Sequence, residues 1–210
     1  ERGITEVVFA GAVSRPRLDP AMFDTETAQL VPALMAAMQG GDDATLRAVL
    51  AIFEDFGFRI AGVQDVAPSL VPPAGFLTAR MAAAVDDRDA ARARDIVAAL
   101  GSVDVGQGAV VQQGLCLAVE ALSGTDAMLA TVAALAAGLR PDPAGGRGVF
   151  YKAPKPGQDP RVDLPALGPR TVEQAAAAGL GGIVWQAGGV ICLDLPAMIA
   201  QANRAGLFLW

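Results

Sequence analysis

"AAAAGLGGIVWQAGGVICL", residues 175–193, carries no charged side chain, and its reading decides the fold. The stretch approaches the ~20 residues that a membrane-spanning helix needs. Gly179, Gly181, Gly182, Gly188 and Gly189 interrupt it, however, together with the polar Gln186. Paired glycines signal turns. The stretch therefore predicts two strands, GGIVWQ and GVICLDL, joined in a hairpin by a glycine turn. On this reading the chain has no transmembrane helix, and it shows no signal peptide.

Composition agrees with a packed α/β protein. At 210 residues the chain can bury a core, as one large or two small domains. Hydrophobic residues make up 53% and charged residues 18%, with a mean hydropathy of +0.41. Much of that share is Ala and Gly, which suit closely packed layers. A net charge of −6 and a pI near 4.6, with no basic stripe interleaved with aromatics, argue against nucleic acid as a partner. Cys116 and Cys192 both sit in apolar runs. They read as buried reduced thiols of a cytosolic protein, a disulfide being the alternative.

Strands and helices alternate along the chain. Residues 4–13 (ITEVVFAGAV) predict a buried strand, and 26–39 predict a helix. A second helix follows, with Asp42 or Asp43 as N-cap and Gly57 as its stop. FRIAGVQDV predicts a strand. This alternation implies a parallel, Rossmann-like sheet in an N-terminal part, residues 1–66. No GxGxxG opens it, so a nicotinamide-dependent reductase has no direct support. Three prolines in DVAPSLVPPAGFLTAR make 67–80 the expected linker. Residues 81–210 then form a mixed α/β domain. It contains a helix over 86–100, a hairpin turning near Gln113-Gly114, a helix from Asp126 to about Leu139 and a strand GVFYKAP. Helices over 171–179 and 196–205 and a closing strand GLFLW complete it.

The chain has no histidine. Ser-His-Asp and Cys-His catalysis and His-ligated zinc are excluded, and two isolated cysteines exclude a thiolate zinc site. Hydrolytic chemistry would then rest on carboxylates, lysines, arginines and a hard, oxygen-bound metal such as Mg²⁺. Three polar clusters could supply it. DVGQG (104–108) places Gly106 and Gly108 around Gln107 before a strand. Such a turn can present backbone N–H groups to an anion, or be an ordinary tight turn. EALSGTDAML (120–129) follows a strand and opens a helix. Thr125 or Asp126 would cap that helix, or Asp126 would face a ligand at the carboxyl end of a strand. KAPKPGQDPRVDLPALGP (152–169) sets Lys152, Lys155, Arg161, Asp159 and Asp163 among four prolines before Pro169. The cations could meet phosphate and the carboxylates a metal; a rigid surface loop with internal ion pairs is the alternative.

The motifs DVGQGAVV, GTDAML and KAPKPGQDPRVDLPALGPRTVEQAAAAGLGGI resemble those of the LpxI-type UDP-2,3-diacylglucosamine pyrophosphatases of lipid A biosynthesis in Gram-negative bacteria. The resemblance extends through GDDATLRAVL to the terminal AGLFLW. It implies an N-terminal Rossmann-like domain and a C-terminal catalytic domain with substrate held between them. It also implies Mg²⁺-dependent hydrolysis, with Mn²⁺ as an alternative ion, giving UMP and 2,3-diacylglucosamine 1-phosphate (lipid X). Two departures stand out: the chain starts at ERGITEVVFAGAV without the family's first strand and glycine-rich turn, and Ala12 stands where relatives often carry Asn. It is read as a fragment or a processed product.

By this resemblance Asp126, Lys152 and Arg161 are the expected catalytic residues, and Asp126 and Asp163 the expected metal ligands. Gln107, Gly108, Thr125, Lys155 and Gln158 are expected to bind substrate. Phe76, Leu77 and Met81 would offer apolar surface to the acyl chains. The expected partners are a lipid-linked UDP-sugar and, peripherally, the cytoplasmic face of the inner membrane, with a homodimer left open. A non-catalytic nucleotide-sugar or lipid-binding protein is the competing class.

Overall fold

The computed structural model describes residues 3–11, 19, 21, 23–40, 42–135, 139–142 and 144–210. Ala12 lies outside that set, as do the side chains of Asp42 and Asp43, where a helix cap was expected. The chain is α/β and divides into two compact units. The first is Glu1–Pro68 with Gln158–Asp163; the second is Ser69–Gly157 with Leu164–Trp210.

In the first unit, β1 (Glu6–Val8) pairs in parallel with β2 (Arg59–Ala61). α1 (Thr25–Met38) starts where the Asp24 carboxylate accepts from the Thr27 N–H at 2.7 Å. α2 (Asp42–Asp55) ends before Gly57, whose φ of +84° turns the chain back, as expected of a stop residue. Phe53 packs on Phe9 and Phe58, with ring centroids 5.1 and 6.0 Å away. The strand expected as buried over 4–13 is shorter and largely exposed. It belongs to a two-stranded sheet, which cannot cover it on both faces as a wide parallel sheet would. A short α3 (Val63–Val66) closes this segment.

The second unit is built on a five-stranded sheet. In chain order its strands are β3 (Gly108–Gln112), β4 (Leu115–Val119), β5 (Val149–Lys152), β7 (Gly182–Trp185) and β9 (Phe208–Leu209). Their spatial order is β4-β3-β5-β7-β9, antiparallel on the β4 side and parallel from β5 to β9. Side chains alternate across it with the period of two that a strand imposes. Ala109, Val111, Val149, Tyr151 and Val184 meet Ala90, Ala93 and Val97 of α4 (Ala84–Ser102). Val110, Phe150 and Ile183 point the other way. There they meet α5 (Gly124–Ala134), α6 (Pro169–Ala177) and α7 (Leu195–Ala205) through Leu129, Val172 and Met198. Burial on both faces is why these strands read as continuous apolar runs.

The β3–β4 hairpin turns at Gln113 and Gly114, as the sequence predicts. Their φ values of +50° and +79° are the pair a two-residue primed turn requires. Asp89 of α4 ties the turn down, accepting from Gln113 N–H at 2.8 Å and Gly114 N–H at 2.7 Å. Asp89 is thereby a buried acid with its acceptors used.

Residues 175–193 form no single helix; they supply the end of α6, then β7 and β8 (Ile191–Cys192). They do not form a hairpin, however. β7 is hydrogen-bonded on both sides, by β5 and β9, and has no edge to offer. β8 instead pairs in parallel with β6 (Ala166–Leu167). The glycine turn is present, with Gly188 at φ +73°, but it leads away from the sheet.

Three further expectations change. α5 begins at Gly124 and ends at Ala134, so Thr125 and Asp126 lie inside its first turn; neither is the N-cap. Cys192 is buried and its thiol is pushed up to about 12 by that burial, whereas Cys116 is exposed on the edge strand β4. Phe76 is half-buried against the core, stacked on Trp210 at 5.1 Å, and Leu77 N–H donates to Leu209 O at 3.0 Å. Only Met81 of the three apolar residues expected to serve acyl chains is well exposed, at 61%.

Candidate active site

Antiparallel pairing explains how distant motifs meet. β3 starts beside the end of β5, with Gly108 opposite Lys152, and β4 ends beside the start of β3, with Val119 opposite Ala109. Gln107, Glu120 and Lys152 are thus brought to one end of the sheet. Gln107 O accepts from Ala153 N–H at 3.0 Å, and Gly108 O accepts from Glu120 N–H at 2.8 Å. The turn after β4 then delivers Thr125 and Asp126 on the first turn of α5.

Lys152 is not a solvent-facing cation. It is 5% exposed, and its ammonium donates to Glu120 Oε2 at 3.1 Å, Glu120 Oε1 at 3.4 Å and Thr125 Oγ1 at 2.5 Å. The Thr125 hydroxyl donates in turn to Glu120 Oε2 at 2.8 Å. A buried charge needs a paired and hydrogen-bonded partner, and these three side chains provide one another with it.

The glycines of DVGQG have a contact reason. A Cβ at Gly106 would lie 1.9 Å from Glu120 O, and one at Gly108 would lie 2.7 Å from Glu120 Oε2. Both positions leave room for Glu120, a use that neither the anion-turn reading nor the plain-turn reading anticipated.

Asp126 stands at the exposed edge of this group. Its carboxylate pairs with Arg170 of α6 at 3.0 Å, the two side chains being 53% and 76% exposed. It also lies at a helix N-terminus, where the backbone favours negative charge. Lys155 is a neighbour in sequence and pairs with Asp104. Pro156 packs where a Cβ on Gly101 would meet it at 2.7 Å, and Pro154 where one on Gly189 would meet it at 3.0 Å. The loop prolines therefore serve packing, whatever else they do.

Gln158, Asp159, Arg161 and Asp163 belong to the first compact unit. Arg161 donates to both Asp159 oxygens through Nε, at 3.0 and 3.1 Å, and to Glu54 Oε1 at 2.6 Å through a terminal nitrogen. Those bonds from Arg161 hold the Asp159 carboxyl below the usual carboxylate range. Asp159 and then Glu54 raise the Arg161 guanidinium further above its own. Asp163 accepts from the Gln158 amide. The two expected metal ligands are thus in different units, Asp126 in the second and Asp163 in the first.

Among the described residues no group of three or more Asp, Glu or Cys side chains could hold a metal ion. Asp126 by itself is a donor of the kind Mg²⁺ takes, since that ion typically uses one or two carboxylates and completes its shell with water and phosphate oxygens. Asp126 is exposed, and its arginine partner is on the surface and replaceable.

Two residues of this group escaped the sequence reading, Glu120 and Arg170. Glu120 had a signal: it is the lone acid ending the apolar run LCLAV. Arg170 had none, since only the packing of α6 beside α5 brings it to Asp126.

Two family models match the chain, one to each part of the sequence. A family model described as the LpxI C-terminal domain matches residues 73–210, and one described as the LpxI N-terminal domain matches residues 1–70. A curated protein of Caulobacter vibrioides (strain ATCC 19089 / CIP 103742 / CB 15) is named UDP-2,3-diacylglucosamine pyrophosphatase LpxI. It is 45% identical over 207 residues, covering 99% of this chain and 74% of its own length.

Proposed function

The chain belongs to the LpxI family, and from that membership we propose that it is a UDP-2,3-diacylglucosamine pyrophosphatase. Water adds to the sugar-side phosphorus of the pyrophosphate and the bond to the bridging oxygen breaks. The products are UMP and 2,3-diacylglucosamine 1-phosphate. The observation that supports this site best is an exposed carboxylate, Asp126, on the helix turn that also holds the buried Lys152–Thr125–Glu120 group.

Each residue has a task in this reading. Asp126 would hold Mg²⁺, with Asp163 as second carboxylate; when bound, the ion supplies polarisation of the phosphoryl oxygens. Lys152 contributes a fixed positive charge that needs no reorganisation as charge builds on those oxygens. Arg161, aligned by Asp159 and Glu54, would do the same. Gln107, Gly108, Thr125, Lys155 and Gln158 would bind the substrate. A cavity of about 260 Å³ lined by Tyr151, Trp185 and Trp210 offers the apolar surface an acyl chain needs. No helix among the described residues is long and apolar enough to cross a membrane. Contact with the cytoplasmic face of the inner membrane would accordingly be peripheral.

The test is release of UMP from UDP-2,3-diacylglucosamine. Turnover with Mg²⁺ that EDTA abolishes is the expected result; binding without turnover would indicate a carrier. Arg161→Ala should lower kcat by roughly tenfold to a hundredfold with a smaller change in KM, as removal of a transition-state contact does. A change in KM alone would make Arg161 a ground-state clamp.

A further inference from the structure

Resting on that reading of the site, we infer that Glu120 is a positioning residue for the reaction, holding the Lys152 ammonium at a fixed point beside the first turn of α5. Four observations meet at this carboxylate. It is 9% exposed, so its charge is carried into the protein and needs a purpose. Both its oxygens face the Lys152 ammonium, at 3.1 and 3.4 Å. The Thr125 hydroxyl bridges the pair, accepting from Lys152 at 2.5 Å and donating to Glu120 at 2.8 Å. Finally, Gly108 makes room for it, since a Cβ there would lie 2.7 Å from Glu120 Oε2.

The arrangement places a lysine by three contacts at once. Its charge cannot swing toward solvent, because the side chain is 6% exposed and its donors are already directed. The bridging Thr125 and the candidate metal ligand Asp126 are consecutive residues on the first turn of α5. Glu120 therefore sets the distance between the buried cation and that turn without itself reaching substrate. A buried ion pair of this kind is weak evidence of stabilisation, since an apolar pair of similar volume often serves as well. Placement of the charge is the better explanation of the pair.

The experiment compares Glu120→Gln with Glu120→Asp in the UMP-release assay, each variant checked for folding by its thermal transition. Gln fills the same space and has no charge; Asp keeps the charge and leaves a gap. A role in packing predicts that the Gln variant is the better enzyme. Positioning predicts the reverse: kcat falls roughly tenfold to a hundredfold in Glu120→Gln with KM nearly unchanged, and Glu120→Asp recovers part of it. Adding Glu120→Gln to Lys152→Met should cost nothing further, because Glu120 acts through Lys152. A Gln variant that equals the parent or exceeds the Asp variant overturns the inference, as does a further loss in the Lys152→Met background. Should Glu120→Gln be unfolded at the assay temperature, Glu120→Asp against the parent decides: a risen KM at unchanged kcat overturns it. A parent that releases no UMP would instead overturn the reading of the site and this inference with it.

Discussion

Replacing Asp126 with Ala is expected to lower UMP release by on the order of a thousandfold while the protein stays folded, the scale at which loss of one group that stabilises developing charge is felt. The two effects separate because Asp126 lies at the surface. Its side chain is 53% exposed and its partner Arg170 is 76% exposed. Exposed pairs of that kind contribute about 0–1 kcal/mol, and the side chain caps nothing, since α5 starts before it. Asp126→Asn should be nearly as inactive as Ala, because an amide keeps the shape but not the charge. The measurements are kcat at saturating Mg²⁺ and the thermal midpoint. An Asn variant with near-parent turnover would remove Asp126 from the chemistry.

Gly106→Ala should cause the largest loss of stability from one added methyl group. The new Cβ would lie 1.9 Å from Glu120 O and 2.7 Å from Glu120 C, and both are backbone atoms that no rotamer change can move. Overpacking typically costs 1–3 kcal/mol, and this contact belongs at about 3 kcal/mol. For a unit of this size the thermal midpoint should fall by roughly 10 °C. Turnover should fall with it even below the transition, because the displaced residue is Glu120. Gly114→Ala is the contrasting variant. Its φ of +79° makes Ala unfavourable, but nothing lies within 4 Å of the added Cβ. The cost there should be about 1–2 kcal/mol, with turnover preserved. If Gly106→Ala left the midpoint unchanged and raised only KM, DVGQG would be an anion-binding turn.

Local rules located most elements because each has a short-range cause. The primed turn at Gln113-Gly114 needs two positive φ values, and a glycine beside a polar residue signals that within two positions. The stop at Gly57 and the helices over 84–102, 169–177 and 195–205 follow from periodicity and end residues of the same reach. Strand pairing has no such local cause. The apolar run at 190–193 is equally compatible with a hairpin to β7 and with β6. The choice was made by β9, the last strand of the chain, which takes the free edge of β7.

The same limit applies to the candidate site. The absence of histidine is legible in composition alone, whereas Asp126, Lys152, Arg161 and Asp163 became candidates through the family resemblance, because their side-chain chemistry by itself left capping and ion pairing open. The sequence by itself determined an α/β chain without histidine and carried the resemblance that named its family. Tertiary structure alone decided that Lys152 is buried on Glu120, that Asp126 meets Arg170, and that Gly106 makes room for the Glu120 backbone and Gly108 for its carboxylate. The physical reason is reach. Chemistry and turn geometry are properties of a few adjacent residues, whereas pairing and burial depend on which distant strands compete for the same edge.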